Sequence, residues 1–273
     1  MNFIGIQRDI DPVNSQTIFN IGSFPINNTT LAILLLLILI VISYALFFRR
    51  LSLRPGKTQV LVEMIYEQIY SFLLQIVSSK KKANSLITII GSLFIFILLS
   101  NLFAIIPIIG SITFNGKPIF RSPTADFSTT FALALGSMII IHIISIKEFG
   151  VFGYLGRFIK LKEVYNGFRR GITDGLISMV DFFIGLLDIF SEFAKLFSVS
   201  LRLFGNIYAA GLVLGTVIMG ISAYVLPAIF IGLGLLFGFV QAVVFSALIT
   251  IFYILSLPES SLEEIEHEGE III

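Results

Sequence analysis

Long apolar runs with almost no charge set the strongest limit on what this chain can fold into. They cover residues 31–48, 84–109, 126–146 and 228–257. Each run comes close to or exceeds the roughly 20 apolar residues with which a helix crosses the hydrocarbon core of a bilayer. Across the chain, 56% of the residues are hydrophobic and only 13% are charged, whereas about 25% of a soluble domain is charged. The sequence therefore predicts an all-α polytopic membrane protein.

The same composition excludes several classes of function. The net charge of +1 offers no basic surface for nucleic acid, and the absence of cysteine excludes disulfides and thiolate metal sites. The sequence contains no phosphate-binding loop, zinc-binding spacing or nucleophile constellation. We therefore expect no catalysis, no metal and no cofactor in this chain. The polar N-terminal residues also argue against a cleavable signal peptide.

The segments between these runs complete the predicted organisation, which is a single membrane domain over 1–273. In 57–79, apolar residues recur at helical spacing with polar residues between them, which is typical of a helix lying in the membrane interface. We expect about five to six membrane helices plus this interfacial amphipathic helix. In order, the segments are a polar outer tail at 1–30, span 1 at 31–48, the interfacial helix at 57–79, span 2 at 84–109, span 3 at 126–146, a basic connector at 147–172, a long tilted helix at 173–223, a final helix at 228–257 and an acidic tail at 258–273.

Basic residues indicate the orientation of the chain. They cluster after span 1, before span 2 and after span 3, at Arg49, Arg50, Arg54 and Lys57, at Lys80, Lys81 and Lys82, and at Arg157, Lys160, Lys162, Arg169 and Arg170. All three clusters fall on one side of the membrane. By the positive-inside rule that side is cytoplasmic, or matrix or stroma in an organelle, and the N-terminus lies outside.

The proline-free segment 173–223 is too long for one upright span. About fifty helical residues extend roughly 75 Å at 1.5 Å per residue, whereas the hydrocarbon core is about 30 Å thick. Either the segment breaks into a re-entrant piece and a span, or it crosses at a steep tilt. With the final helix it forms the long tilted hairpin that we expect at the C-terminal end.

A polar stripe runs along this long helix. Its members recur at intervals of seven and four residues, which places them on one face, and Glu192 lies beside them: the stripe consists of Asp181, Asp188, Lys195, Arg202 and Asn206. An arginine at the centre of a membrane helix costs about 2.5–3.5 kcal/mol on the insertion scale. Lys195 is better placed than Arg202 to reach the interface, since Arg202 lies deeper and is followed by an apolar stretch. The alternative, in which Arg202 itself reaches the interface, stays open.

A second alternative is an internal ion pair that only holds helices together. Spans 1 and 2 and the final helix contain no acidic residue, and span 3 has only Asp126 at its edge. Glu192 and Asp188, on the same helix as Arg202, lie roughly 15 and 21 Å away along the axis. We therefore infer that the counter-charge of Arg202 comes from another chain, or is met only transiently.

Small residues near Arg202 suit the close approach of another helix. They are Gly205, Ala209, Ala210, Gly211 and Gly215, and the final helix repeats the device with Gly234, Gly238 and Ala242. Packing between the chain's own helices explains these small residues equally well. Gln241 is the one strong hydrogen-bonding group at mid-depth in the final helix, and we favour a functional role for it.

The segment 200–209, SLRLFGNIYA, resembles the signature of subunit a of F-type ATP synthases. Further segments agree in order and spacing: Asn101-Leu-Phe with Pro107, Thr124-Ala-Asp126-Phe-Ser-Thr-Thr130, and Gln241-Ala-Val-Val-Phe245. The resemblance covers about 31–257. It implies a stator channel subunit in the membrane sector, a bacterial-like member of the family.

The resemblance also implies a mechanism and a set of partners. Arg202 would face the carboxylates of a rotating ring of c subunits and would separate two offset half-channels, with Asn206 and Gln241 supporting it and Asp188 in the half-channel on the catalytic side. Peripheral-stalk subunit b and the remaining synthase subunits would be further partners. The predicted ion-translocation residues are Arg202, Asn206, Gln241, Asp188, Glu192, Lys195, Asp126, His142 and Tyr208.

The chain departs from the family pattern at two places. Gly211 and Gly234 stand where an ionisable residue is common. Either water fills those places, or Asp126, His142 and Tyr208 supply the missing proton-handling groups. A packing role for His142 is equally open, and so is coupling to sodium rather than to protons.

A secondary transporter and a purely structural membrane anchor are the alternatives from other classes of protein. A secondary transporter should show two related halves, and the sequence shows none. A purely structural anchor would not need Arg202 for transport. For the location we expect a bacterial plasma membrane, with the mitochondrial inner or plastid thylakoid membrane as alternatives.

Overall fold

A computed structural model describes residues 15–49, 56–106, 112–114, 116–158, 164–166, 169, 171–220 and 225–257. The acidic tail after 257 and parts of the basic connector lie outside these residues. The helices in chain order are α1 Asn28–Phe48, α2 Lys57–Val77, α3 Lys80–Ile105, α4 Phe127–Phe158, α5 Ile172–Gly220 and α6 Val225–Leu255. Two small antiparallel hairpins accompany them: β1 Thr17–Ile21 with β2 Phe24–Asn27, and β3 Thr113–Phe114 with β4 Lys117–Pro118.

The outer tail is partly ordered by the first hairpin. Strands β1 and β2 pair from Thr17 with Asn27 to Ile21 with Phe24, and Gly22 takes a positive φ of 62° in the turn. The hairpin leads directly into α1, where the Asn28 side chain accepts a hydrogen bond from the Gln16 backbone at 3.2 Å. The sequence predicted only a polar tail here, because short strands without an alternating apolar face leave little pattern.

Helices α1 to α3 differ in how much of their surface the chain covers. Leu36 of α1 and Phe103 of α3 belong to one buried cluster with Ala32. Along α2 the side chains are almost all exposed until Leu73 and Val77 near its end. An exposed apolar helix in a membrane chain contacts lipid or another subunit.

Helix α4 extends beyond the predicted third span. It begins at Phe127 after a 3₁₀ turn at Pro123–Ala125 and continues to Phe158, with a kink at Gly150, whose φ of 73° is outside the helical range. A positive φ is accessible to glycine because it lacks a Cβ. The first part of the basic connector is therefore helical and turns back at Gly150.

Helix α5 settles one of the alternatives for the long proline-free segment. It is one continuous helix of 49 residues, Ile172–Gly220. The interpretation in which this segment breaks into two pieces was therefore wrong. Polar residues at intervals of seven and four fit the helical period, so they interrupt no backbone hydrogen bond.

The architecture confirms the predicted fold class. Within the described residues, five helical segments are long and apolar enough to cross a membrane: Asn28–Phe47, Lys57–Val77, Lys80–Ile105, Phe127–Lys147 and Ile231–Leu255. All five qualify by length and composition alone, and α2 is the least apolar of them. Its position along the membrane surface stays a prediction.

The chain divides into two compact units. The first unit contains residues 1–69, 89–130 and 201–246, and the second contains 70–88, 131–200 and 247–273. Helices α2 to α6 each contribute to both units, so the unit to which a site residue belongs depends on its position along its helix.

Candidate functional site

Arg202 lies on the exposed side of α5 in the first unit. Its neighbour Leu203 is fully buried, and Ile207 is buried one turn later, which defines the inward face of the helix. Arg202 is exposed on the other side. Among the residues that the structure describes, its guanidinium has no hydrogen bond and no ion pair. Its charge is therefore available to a group outside this part of the chain.

An aromatic stack connects this part of α5 to the start of α4. Tyr208 stacks on Phe204 with ring centroids 5.3 Å apart, and Phe204 meets Phe127 edge-on at 5.9 Å. Such pairs stabilise by about 0.5–1.5 kcal/mol beyond their buried area. Tyr208 and Asn206 are both half-buried. The stack brings the turn of α5 that carries Asn206 and Tyr208 close to the start of α4, which follows Asp126.

Asp126 is only 4% exposed, and both its carboxylate oxygens accept hydrogen bonds. Oδ1 accepts from the Ser128 backbone N–H at 3.1 Å, which caps the start of α4. Oδ2 accepts from the Thr29 hydroxyl at 3.1 Å. Sequence reasoning missed Thr29, because nearly a hundred residues separate it from Asp126 and only the fold brings them together.

Gln241 lies on the inward face of α6. It is 5% exposed, and Ala242, Phe245 and Ile249 are buried on the same side. Asn101 of α3 crosses to this helix: its Nδ2 donates to the Gly238 carbonyl at 2.9 Å. The sequence analysis used Asn101 only as part of a motif. Its signal was present, since an amide in the apolar run of a span needs a partner.

In the second unit, Lys195 and Glu192 neutralise each other on α5. Lys195 Nζ donates to Glu192 Oε1 at 2.9 Å across one helical turn. The ammonium group also lies 5.4 Å from the centre of the Phe252 ring on α6, within the range of a cation–π contact. Asp188, one turn before Glu192, is half-buried.

His142 of α4 contacts a residue that follows the Gly150 kink. Its Nδ1 is 2.8 Å from the Tyr154 hydroxyl, and the two rings lie 5.8 Å apart. The turn at Gly150 brings Tyr154 back to the helix that it has just left. Sequence reasoning missed Tyr154, since nothing in the spacing indicated the reversal.

The structure therefore divides the predicted site residues between the two units. Arg202, Asn206, Tyr208, Gln241 and Asp126 fall in the first unit, and Asp188, Glu192, Lys195 and His142 fall in the second. In the described part of the chain, no cluster of histidines and carboxylates could hold a metal ion.

This chain is similar to known proteins over the part that contains these site residues. The family model for the ATP synthase A chain matches residues 29–254. ATP synthase subunit a of Moorella thermoacetica is 32% identical over 237 residues, which cover 87% of this chain and 93% of that protein. ATP synthase subunit a 1 of Crocosphaera subtropica is 31% identical over 215 residues, covering 78% and 79%. The sodium ion specific subunit a of Propionigenium modestum is 28% identical over 235 residues, covering 85% and 74%.

The family match contains every predicted site residue, from Asp126 to Gln241. Together with relatives at 32% and 31% identity over most of both chains, it shows that the chain belongs to the family of subunit a of the F-type ATP synthases.

Proposed function

We propose that this chain is the ion-translocating stator subunit of an F-type ATP synthase, and that Arg202 faces the carboxylates of a rotating c-ring. The observation that carries the proposal is the exposed guanidinium of Arg202, which has no partner among the described residues. A charge on the lipid-facing side of a helix is costly. A carboxylate on a neighbouring subunit removes that cost.

The chemistry follows from the charge of arginine. A guanidinium favours the ionised form of a nearby carboxylate, so each ring carboxylate that passes Arg202 gives up its ion. Arginine itself does not deprotonate at physiological pH. It therefore separates two half-channels without becoming part of a proton relay, and a direct leak between them is blocked.

The two half-channels draw on different residues. Asn206, Tyr208, Asp126 and Gln241 serve the outer one, since the predicted orientation places the start of α4 outside. The contact of Phe127 with Phe204 supports this grouping. On the inner side we place the following residues of the second unit: Asp188, Glu192, Lys195 and His142.

Gly234 stands where an ionisable residue is common in the family, and Ile105 lies beside it. An ideal Cβ there would lie 3.6 Å from the Ile105 side chain, which is ordinary van der Waals contact. An apolar side chain therefore borders that place. This favours the alternative in which Asp126, His142 and Tyr208 supply the missing proton-handling groups. The side-chain surroundings of Gly211 lie outside the described residues.

Protons are the coupling ion that we propose, because proton-handling side chains such as Asp126 and His142 lie among the predicted path residues. Sodium is the second candidate, and the sodium ion specific relative favours it. The ring contributes most of the ion selectivity. Measuring ATP-driven pumping with and without sodium in the buffer separates the two candidates.

The remaining assignments follow from the family. Catalysis of ATP synthesis resides in other subunits, and subunit b of the peripheral stalk contacts this chain along with the rest of the complex. Bacterial relatives favour a bacterial plasma membrane. The chain needs no cofactor for this role.

The decisive experiment is Arg202→Ala in the complete synthase reconstituted into liposomes. We expect ATP-driven ion pumping to be abolished while the complex still assembles. Arg121→Ala is a matched control, because it also removes a guanidinium, one that donates to the Ala125 carbonyl in the outer loop at 3.2 Å. It should leave pumping intact.

Pumping that survives Arg202→Ala contradicts the proposal and supports a structural anchor. Transport by the purified chain alone in liposomes contradicts it as well and supports a free-standing transporter.

A further inference from the structure

A buried amide joins α3 to α6 close to Gln241. Asn101 is 0% exposed, and its Nδ2 donates to the Gly238 carbonyl at 2.9 Å. The helices approach closely here: an ideal Cβ on Gly238 would lie 3.0 Å from the Asn101 Cβ, tighter than almost all real contacts. Glycine at 238 is therefore what allows the hydrogen bond to form.

The other half of the Asn101 amide has no partner among the described residues. Its Oδ1 is buried and accepts no hydrogen bond from any of them. Buried polar atoms of this kind are rare in folded proteins, since leaving one unsatisfied costs about as much as a lost hydrogen bond. The hydrogen bond of Nδ2 fixes the orientation of the amide, and Oδ1 lacks a donor among the described residues. This points to a donor that reaches Oδ1 in the working protein.

Gln241 is the donor whose position fits. It lies three residues after Gly238 on the same buried face of α6, in the same compact unit as Asn101. Long side chains in a helix extend back toward its N-terminus, over the turn before their own Cα. For Gln241 that turn is the one that Asn101 contacts.

We propose that Asn101 is a positioning residue for ion translocation. Its Nδ2 fixes α6 through the Gly238 carbonyl, and its Oδ1 accepts a hydrogen bond from the Gln241 amide, directly or through one water molecule. This inference rests on the proposed function, because it assumes that Gln241 lines the ion path. It links Asn101 to Gln241 rather than to Arg202.

Packing alone does not require this amide. Around it, α3 and α6 already meet through apolar contacts, such as Phe94 with Phe239 at 6.3 Å and Ile105 beside Gly234. Leucine has the same number of side-chain heavy atoms as asparagine, branched at the same carbon, and would extend that apolar contact without burying a polar group. The amide therefore fixes the position of α6 more than it stabilises the helix pair.

A pair of glycine variants tests the Asn101–Gly238 contact in the complete, reconstituted synthase. Gly238→Ala forces the helices apart at Asn101, and we expect ATP-driven pumping to fall about tenfold, equivalent to about 1.4 kcal/mol in the barrier. Gly232→Ala is the matched control on the same helix, six residues away, because a Cβ there meets no described atom within 4 Å. Equal pumping by the two variants overturns the inference.

A double-mutant cycle tests the link to Gln241. Asn101→Leu and Gln241→Leu should each lower pumping about tenfold, and the double variant should be no worse than the lower single variant, because both break one interaction. Independent structural roles give the product of the two losses, and that outcome overturns the inference. Should Asn101→Leu fail to co-purify with the other subunits, the glycine pair alone decides.

Arg202→Ala separates this inference from the proposed function. If Arg202→Ala still pumps, the proposed function itself fails. If it does not pump while Asn101→Leu pumps at the rate of the unmodified complex, only the inference about Asn101 fails.

Discussion

Lys195 and Arg202 lie two turns apart on the same helix, and the chain treats their charges differently. Lys195 is half-buried, paired with Glu192 at 2.9 Å and placed beside the Phe252 ring. Arg202 is exposed, and among the described residues it has neither an ion pair nor a hydrogen bond. One cation is neutralised within the chain, and the other is left for a partner.

The difference separates charges that the chain satisfies itself from a charge that it leaves for another subunit. Asp126 follows the pattern of Lys195, because Thr29 and the Ser128 backbone satisfy both its oxygens. A charge that the chain satisfies needs no other subunit. A charge left open at the protein surface indicates where another subunit should approach.

The largest expected effect comes from replacing arginine by lysine at 202, in comparison with replacing lysine by arginine at 195. Arg202→Lys should lower ATP-driven pumping about 100-fold, because a lysine lacks the planar fork of arginine and deprotonates when desolvated. Lys195→Arg should retain pumping, since its carboxylate partner and aromatic contact accept either cation. Equal pumping by the Arg202→Lys and Lys195→Arg variants would contradict the distinction between the two cations. Fluorescence quenching by a pH-sensitive dye in proteoliposomes measures both rates.

An intermediate effect is expected from breaking the ion pair between Lys195 and Glu192. Glu192→Gln leaves Lys195 without its carboxylate and should lower pumping about threefold, in line with the modest strength of partly exposed ion pairs. Removing both charges, with Glu192→Gln and Lys195→Gln together, should restore most of the rate. A double variant that is worse than the single one would show that these charges act on the ion rather than on each other.

The smallest effect concerns Asp126. Thr29→Val removes the hydroxyl that donates to Asp126 Oδ2 and should destabilise the chain by about 1 kcal/mol, with pumping changed by less than about twofold. Thermal unfolding of the detergent-solubilised complex measures the loss. Thr30→Val, the same change at an exposed neighbour, is the control. Equal melting temperatures for the two variants would show that the Thr29 contact contributes nothing.

Much of the fold could be predicted from periodicity. Apolar runs predicted the membrane class, and the seven-and-four spacing around Arg202 predicted one helical stripe. The hairpin at Thr17–Asn27 and the turn at Gly150 could not be predicted in the same way. They depend on backbone conformations and long-range pairs that leave no periodic signal.

Charge and spacing along single helices were determined by the sequence alone. It predicted a deep Arg202 without an acidic partner at its depth, because residue order fixes axial distance in a helix. Only the tertiary structure decided which residues distant in the sequence meet: Thr29 with Asp126, Tyr154 with His142, and Asn101 with Gly238. Those contacts depend on how helices rotate and approach each other, and distances along the chain carry no information about either.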